Sequence, residues 1–325
     1  MQRRQFISEG IARVAGMGGA AAAGAALLNA GCVPSIDPEN RLPDLVWGRR
    51  GLSDGRLMKP RAMTLSNNNE IYLVDITGRI QVFDTEGEYK RGWRTPFIKQ
   101  GKPTGLGWSN DNLLLVADTH YFRVLFYTPE GERVETISIG GTNGDGPGEF
   151  HFVTDVVQDA RGHYFVGQYG QIDLIQEFDP EGTFIKRWGK QGGAPEDFSR
   201  PQALLIDEAG FLWVADACNH RIKIYDVTGE KEELVEMWGE PGRDVGQLMT
   251  PYGMDFDQDG TLVVAEFGNH RVQRFKPNGE SLGCFGKAGH DPGQFYEPWA
   301  LIMDSDRNLH VLDTKNHRLQ RFPIS

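Results

Sequence analysis

Three stretches of the chain repeat one short pattern: Asn219-His220-Arg221-Ile222, Asn269-His270-Arg271-Val272 and Asn316-His317-Arg318-Leu319. The copies recur roughly every 50 residues, a period typical of supersecondary units that are repeated along a chain. The fold of this protein is therefore best predicted one repeat at a time.

Each unit contains the same order of short apolar runs and turns. In most units a Pro opens the first run, an acid ends the second, an Arg begins the third, and an aromatic-Gly pair closes the fourth. Apolar runs of about five residues between Asp, Asn and Gly are typical of strands. Six units of four strands predict an all-β, six-bladed β-propeller over residues 44–325. Its opening strands are expected to start at Pro60, Pro103, Val153, Pro201, Pro251 and Pro298.

The sixth unit lacks a fourth strand, because the chain ends at Ser325, just after Leu319-Gln320-Arg321-Phe322. Near the other end stands Leu45-Val46-Trp47-Gly48, which matches the closing strands of other units, such as Cys284-Phe285-Gly286. We expect this N-terminal strand to complete the last blade and close the ring. A ring without a free sheet edge is protected from edge-to-edge association, so a monomer is expected.

With these units defined, the chain resembles the NHL-repeat family of six-bladed propellers (NHL/TolB-like), named for an Asn-His-Leu triplet that here reads Asn-His-Arg. The resemblance covers residues 44–325 and implies the fold. It implies little about function, because propellers carry unrelated activities on one scaffold.

An acid at the end of the second strand is matched by an Arg at the start of the third in five units. The third unit has Gln168 and Leu174 there, so both charges are missing together. This joint loss predicts ion pairs across the turn, because either charge alone would lack its partner. A ring of cationic ligand contacts is the alternative. The pairs are Asp75–Arg79, Asp118–Arg123, Asp216–Arg221, Glu266–Arg271 and Asp313–Arg318.

The residue after each opening position varies between units, whereas core positions stay apolar. Opening strands line the channel of a propeller, and their first turn faces one mouth. Arg, Tyr and Trp are enriched at binding surfaces, so this mouth is the predicted ligand site, with an ordinary solvated rim as the alternative. Its residues are Arg61, Thr104, Thr154, Gln202, Tyr252 and Trp299.

Two acids interrupt the channel-facing positions of the opening strands. Asp155 stands where the other units have Gly or Ala, and Asp255 is two positions deeper in its strand. Two carboxylates in a narrow channel suit Ca²⁺ or another divalent cation, although a cationic group or water would serve as well. No other cofactor is predicted. His220, His270 and His317 lie in separate blades, too far apart to share a metal, and are expected to pack in turns.

Residues 1–31 have the character of an export signal. Arg3-Arg4-Gln5-Phe6-Ile7 followed by a weakly apolar stretch resembles a twin-arginine signal. The segment before Cys32 resembles a lipoprotein cleavage site, which implies lipidation of Cys32 and a tether over residues 32–43. Cleavage near Ala30 or a retained anchor are the alternatives. The expected location is the bacterial periplasm or cell envelope, with membrane association only through this N-terminal lipid or an uncleaved signal.

The net charge of −11 argues against a nucleic-acid partner, because an acidic surface repels phosphates. No catalytic constellation is recognisable, so the favoured hypothesis is a binding or scaffold module for a protein, peptide or glycan. The alternative is a metal-dependent propeller enzyme, similar to peptidyl-hydroxyglycine lyases or to lactonases. A periplasmic subunit of a larger complex is a third hypothesis.

Overall fold

The computed structural model describes residues 41–324. The predicted export signal of residues 1–31, Cys32 and most of the tether lie outside this range. Within the described range, no helix combines the length and the apolar character that crossing a bilayer requires.

The six-bladed propeller predicted from the repeats is confirmed, with six antiparallel sheets of four strands each. Blades 1 and 2 consist of β2 (Pro60–Leu65), β3 (Ile71–Asp75), β4 (Arg79–Phe83), β5 (Tyr89–Arg94), β6 (Gly105–Trp108), β7 (Leu114–Asp118), β8 (Arg123–Tyr127) and β9 (Arg133–Gly140). Blades 3 and 4 consist of β10 (Phe152–Gln158), β11 (Tyr164–Tyr169), β12 (Leu174–Phe178), β13 (Phe184–Trp188), β14 (Pro201–Ile206), β15 (Phe211–Asp216), β16 (Arg221–Asp226) and β17 (Glu233–Trp238). Blades 5 and 6 consist of β18 (Pro251–Phe256), β19 (Leu262–Glu266), β20 (Arg271–Phe275), β21 (Ser281–Phe285), β22 (Pro298–Met303), β23 (Asn308–Asp313), β24 (Arg318–Pro323) and β1 (Leu45–Trp47).

Single 3₁₀ turns join the second and third strands in three blades: Thr119–Tyr121, Ala217–Asn219 and Thr314–Asn316. Each opening strand contacts the opening strands of both neighbouring blades, and β2 contacts β22, so the blades form a ring.

The N-terminal strand closes the ring as predicted. β1 pairs antiparallel with β24, placing Leu45 opposite Arg321 and Trp47 opposite Leu319. Arg321 also binds the carboxylate of Asp44 at 2.9 Å. The Trp47 ring packs against Phe83 of blade 1, with 4.7 Å between ring centroids. Blade 6 is therefore joined to blade 1 by the strand that completes it.

The core lies between blades rather than within one sheet. Tyr72 and Val74 of blade 1 form one cluster with Leu114 and Val116 of blade 2. All four are fully buried. Burying an aliphatic side chain of this size stabilises the fold by about 1.5–3 kcal/mol, so each blade depends on its neighbours for its stability.

The five predicted ion pairs are present, but they lie in the interior and do more than orient a turn. Arg221 binds Asp216 at 2.7 Å. Its terminal nitrogens also donate to the carbonyls of Gly193, Ala194 and Asp197, all in the connection from blade 3. The equivalent arginines of blades 1, 5 and 6, namely Arg79, Arg271 and Arg318, hold their own preceding connections in the same way.

Blade 2 departs from this arrangement because the connection 95–103 is different. Five connections contain an isolated parallel bridge, and within residues 41–324 this one does not. Arg123 binds Asp118 at 3.0 Å and is flanked by the rings of Phe97 and Tyr121 instead of by loop carbonyls. Burial raises the pKa of Asp118 to about 6.

Replacing Trp47 tests the closure of the ring. Trp47→Ala should lower the free energy of unfolding by about 3–5 kcal/mol, because it removes a buried ring shared by blades 6 and 1. Val46→Ala, on the exposed face of the same strand, should change it by less than about 0.5 kcal/mol. Urea denaturation measures both. Equal effects of the two substitutions would contradict closure through Trp47.

Two equivalent arginines test the role of the ion pairs. Arg221→Ala should cost about 3–5 kcal/mol, since it leaves a buried carboxylate and three loop carbonyls without their donor. Arg123→Ala should lower the free energy of unfolding by less, because no loop carbonyl loses its donor. Asp118, whose pKa is raised by burial, can also take up a proton when its partner is removed. Urea denaturation at pH 7 compares them. Equal losses would show that the loop contacts contribute nothing.

Candidate functional site

The opening strands surround a central channel of about 480 Å³. Crowding at the axis requires small residues, and a Cβ added to Gly253 would lie 2.7 Å from the Cα of Ala300. In blades 1, 4, 5 and 6 the pairing register shifts between the first and third residues of the opening strand. Such bulges redirect a side chain, and here the redirected position is the predicted mouth position.

Aromatic rings and two arginines form a continuous row of contacts that includes three residues of this mouth. Trp299 and Tyr252 meet edge to face, with 4.9 Å between centroids. The guanidinium of Arg61 lies 5.3 Å from the Trp299 ring. Arg200 lies 4.5 Å from the Tyr169 ring and 5.2 Å from the Tyr252 ring. Such cation–π contacts hold arginines in place without neutralising them.

The same chain of contacts continues through blades 3 and 2. Tyr169 packs against Phe152, with 5.2 Å between centroids, and Phe152 packs against His120 at 4.9 Å. The Phe267 ring packs against both Tyr252 and Trp299, with 4.6 and 5.7 Å between ring centroids. We call this set the mouth arc, to which five blades and the connection before blade 4 contribute: Arg61, His120, Phe152, Tyr169, Arg200, Tyr252, Phe267 and Trp299.

Five of the six predicted mouth residues line the channel: Arg61, Thr104, Gln202, Tyr252 and Trp299. Thr154 differs from the prediction. Its side chain is fully buried, and its hydroxyl donates to the carbonyl of Pro201 at 2.5 Å. Thr154 therefore joins blade 3 to blade 4 instead of facing the channel.

The two channel aspartates also join neighbouring blades. Asp155 accepts a hydrogen bond from the backbone N–H of Leu204 at 3.0 Å, and Asp255 accepts one from Met303 at 2.8 Å. The second oxygen of Asp255 accepts from Phe256. Burial raises the pKa of Asp155 to about 7 and that of Asp255 to about 6. Carboxylates committed to backbone donors do not fit the shared cation site suggested by the sequence.

The triplet histidines act between blades. The Nδ1 atom of His270 accepts from the backbone N–H of Glu297 at 3.0 Å. His220 accepts from Thr250, and His317 from Lys59, in the same way. The three donors have left-handed backbones, with φ of 53°, 52° and 45°, and each lies two residues before a mouth position. These three bonds, here called the histidine latches, fix the start of the strands that carry Trp299, Tyr252 and Arg61.

Blade 3 has no histidine at this position, but an equivalent hydrogen bond holds the start of the next opening strand, β14. The Asp173 carboxylate accepts from the backbone N–H of Arg200 at 2.6 Å. Arg200 also has a left-handed backbone, with φ of 58°. A carboxylate in blade 3 thus does what a histidine does in blades 4, 5 and 6, and the start of the next opening strand is held in the same way.

Five residues that extend the contacts of Tyr252 and Trp299 away from the channel lining were not predicted: Arg200, Tyr169, Phe152, Phe267 and His120. Two features of the sequence could have indicated some of these residues. Arg200 directly precedes an opening proline, and Tyr169 and Phe267 directly follow the position of the paired acid. Within residues 41–324, no group of three or more His, Cys, Asp or Glu side chains has the arrangement of a metal site.

Comparison with known proteins identifies a family and a fold. The family model described as the SMP-30/Gluconolactonase/LRE-like region matches residues 62–285. The chain is 32% identical over 204 residues to peptidyl-glycine alpha-amidating monooxygenase A of Xenopus laevis, which covers 59% of this chain and 21% of that protein. It is 25% identical over 180 residues to NHL repeat-containing protein 3 of Mus musculus, covering 51% of each. The chain thus spans about half or less of these relatives.

Among solved structures, an auxiliary nutrient binding protein from Bacteroides ovatus is similar, with a TM-score of 0.63 and 15% identity. The match covers 80% of this chain and 68% of that one. An identity this low shows the fold alone.

The histidine latches predict a loss of stability in acid. Burial lowers the pKa of His270, against opposing effects of Glu297 and Asp313, and Arg243 lowers it further. The latch needs an unprotonated Nδ1, so its contribution of about 0.5–1.5 kcal/mol is complete above the ordinary pKa of about 6.5 and is lost as the pH falls below it.

The difference in unfolding free energy between the wild type and His270→Ala should therefore be larger at pH 8 than at pH 5. Urea denaturation at both values measures it. His290→Ala is the control, because the ring of His290 donates to Asn316 and latches no strand. If the loss of unfolding free energy caused by His270→Ala is the same at pH 8 and pH 5, the proposed histidine latch is wrong.

Proposed function

Because the chain belongs to the SMP-30/gluconolactonase/LRE-like family, as an NHL-type propeller, we propose that it is a binding module whose ligand site is the mouth arc. The observation that carries this proposal is the continuous contact path from His120 to Arg61 through five blades and the connection before blade 4. Aromatic residues and arginines are enriched among the residues that supply most of the binding energy at known interfaces.

The mouth arc has the chemistry for a peptide or protein segment, or for a glycan. A flat ring such as that of Trp299 suits apolar side chains and the apolar faces of sugars. The side-chain amide of Gln202, whose oxygen accepts from Arg200, adds a hydrogen-bonding group to the channel lining. A similar propeller from Bacteroides ovatus is described as an auxiliary nutrient binding protein, which supports a binding role.

The location proposed for this module is the bacterial periplasm or cell envelope. The support is the sequence of residues 1–31, with its Arg3-Arg4 pair, and the small residues before Cys32. In this proposal residues 32–43 are a tether and residues 44–325 form a monomeric propeller that faces its ligand with one mouth.

A binding screen tests the proposed site. The probes are tri- and tetrapeptides and oligosaccharides of two to four units, neutral and acidic, measured by calorimetry. Any ligand that binds should bind about tenfold or more weakly to Trp299→Ala, because a stacking face is lost. Phe97→Ala is the matched control, since Phe97 is 54% exposed and lies outside the mouth arc. Binding unaffected by Trp299→Ala would refute the proposed site.

Metal analysis of the purified protein separates this proposal from the enzymatic alternative. One equivalent of zinc or calcium per chain, lost together with a lyase or lactonase activity on chelation, would favour the enzyme. Ligand binding that survives chelation would favour the binding module.

A further inference from the structure

Arg61 carries a positive charge that no described residue neutralises. Within residues 41–324, its guanidinium forms no hydrogen bond and no ion pair, and its contact is the face of Trp299. Burial lowers the pKa of Arg61, and the nearby charge of Arg200 lowers it further. The five repeated arginines, by contrast, each bind a buried acid.

Arg200 is also incompletely paired. Its Nε donates to the side-chain oxygen of Gln202 at 2.9 Å, and its two terminal nitrogens have no hydrogen-bond partner among the described residues. The neighbouring acid, Asp173, accepts from the backbone N–H of Arg200 rather than from its guanidinium. Two guanidinium groups with unused donors thus lie on one pair of touching rings, Arg61 on Trp299 and Arg200 on Tyr252.

An uncompensated, half-buried charge is costly, and two like charges near each other increase the cost. This arrangement stands out in a protein whose net charge is −11. An oxyanion at the mouth would satisfy both groups, since guanidinium donors match carboxylate geometry and charge-assisted hydrogen bonds are the stronger kind.

We propose that the mouth arc selects a carboxylate attached to a flat apolar or ring-shaped group. In this assignment, which rests on the proposed function, Arg61 and Arg200 bind the carboxylate and the ring of Trp299 contacts the flat group, while the buried ring of Tyr252 supports Trp299 and Arg200. The channel of about 480 Å³ admits the end of a ligand rather than a folded partner. Two sources offer this chemistry: the C-terminal carboxylate of a peptide and the uronic acid of an oligosaccharide.

Paired probes that differ only in charge test the proposal. One pair is an acetylated tripeptide ending in phenylalanine, as the free acid and as the amide. The other is a disaccharide ending in glucuronic acid, compared with one ending in glucose. By calorimetry, the acid of one pair should bind about tenfold or more tightly than its neutral partner, and the pair that responds identifies the source.

Arg61→Gln and Arg200→Gln should each reduce this ratio towards one. Arg133→Gln, at an exposed arginine of β9, should leave the ratio unchanged. Arg61→Gln should also retain or raise the melting temperature of the free protein, because it removes a charge without a partner. That readout needs no ligand and shows that the variant is folded.

Three results would overturn the charge selectivity: equal binding of acid and neutral probes, no binding of either acid, or an acid preference that survives both arginine substitutions. A marked loss of thermal stability in Arg61→Gln would also contradict it. Equal binding of acid and neutral probes that Trp299→Ala abolishes would still support the mouth as a binding site. The two proposals therefore fail separately.

Discussion

The pairing of β1 with β24 is the constraint on which the rest of the structure depends. Each blade buries its faces against two neighbours, so an open arc would expose the apolar faces of its two end blades. The Trp47 ring covers Phe83 of blade 1 while its strand completes blade 6. Once the ring is closed, the six opening strands have fixed separations, and only small residues such as Gly253 fit between them. The channel and its mouth are consequences of this closure.

Neighbouring blades are joined by two repeated kinds of contact, and the residue that makes the contact differs in some blades. An arginine holds the preceding connection in blades 1, 4, 5 and 6, and an acceptor after the second strand latches the next opening strand. Blade 3 lacks the arginine and keeps the neighbouring contact, in which Gln176 donates to the carbonyl of Glu149 at 2.7 Å, as Gln273 does to Gln247 in blade 5. Asp173 there replaces the latching histidine. The latch that follows blade 3 is therefore maintained by a different acceptor.

The repeats predicted the number of blades and the five ion pairs, because these features depend on local pattern and on short loops. The closing strand was predictable although its pairing is long-range, because the last unit lacks a fourth strand and an unmatched copy of that strand stands near the N-terminus. The contacts of Arg221 with its connection could not be predicted, since they join residues more than twenty positions apart through tertiary folding. Thr154 was assigned to the mouth because equivalent positions were assumed to face the same way. In blade 3 the register shift extends from Val153 to Val156, one residue more than in blade 4. As a result the Thr154 side chain bonds to Pro201 of blade 4 instead of lining the channel. Tyr169 and Phe267 were not predicted as partners of the mouth because they directly follow the acid position, where the repeat pattern indicates a turn.

The repeat itself gives a criterion for separating structural from functional residues. A departure that has acquired a new partner, such as Asp173, maintains the scaffold. Arg61 differs, because its position tolerates threonine or glutamine in other blades and its charge has gained no partner within residues 41–324. Selection for stability alone would remove an uncompensated cation at low cost, since no hydrogen bond or ion pair within the described chain depends on it and its contact is the face of Trp299. Its presence beside Arg200 and the aromatic rings is therefore better explained by a ligand than by the fold.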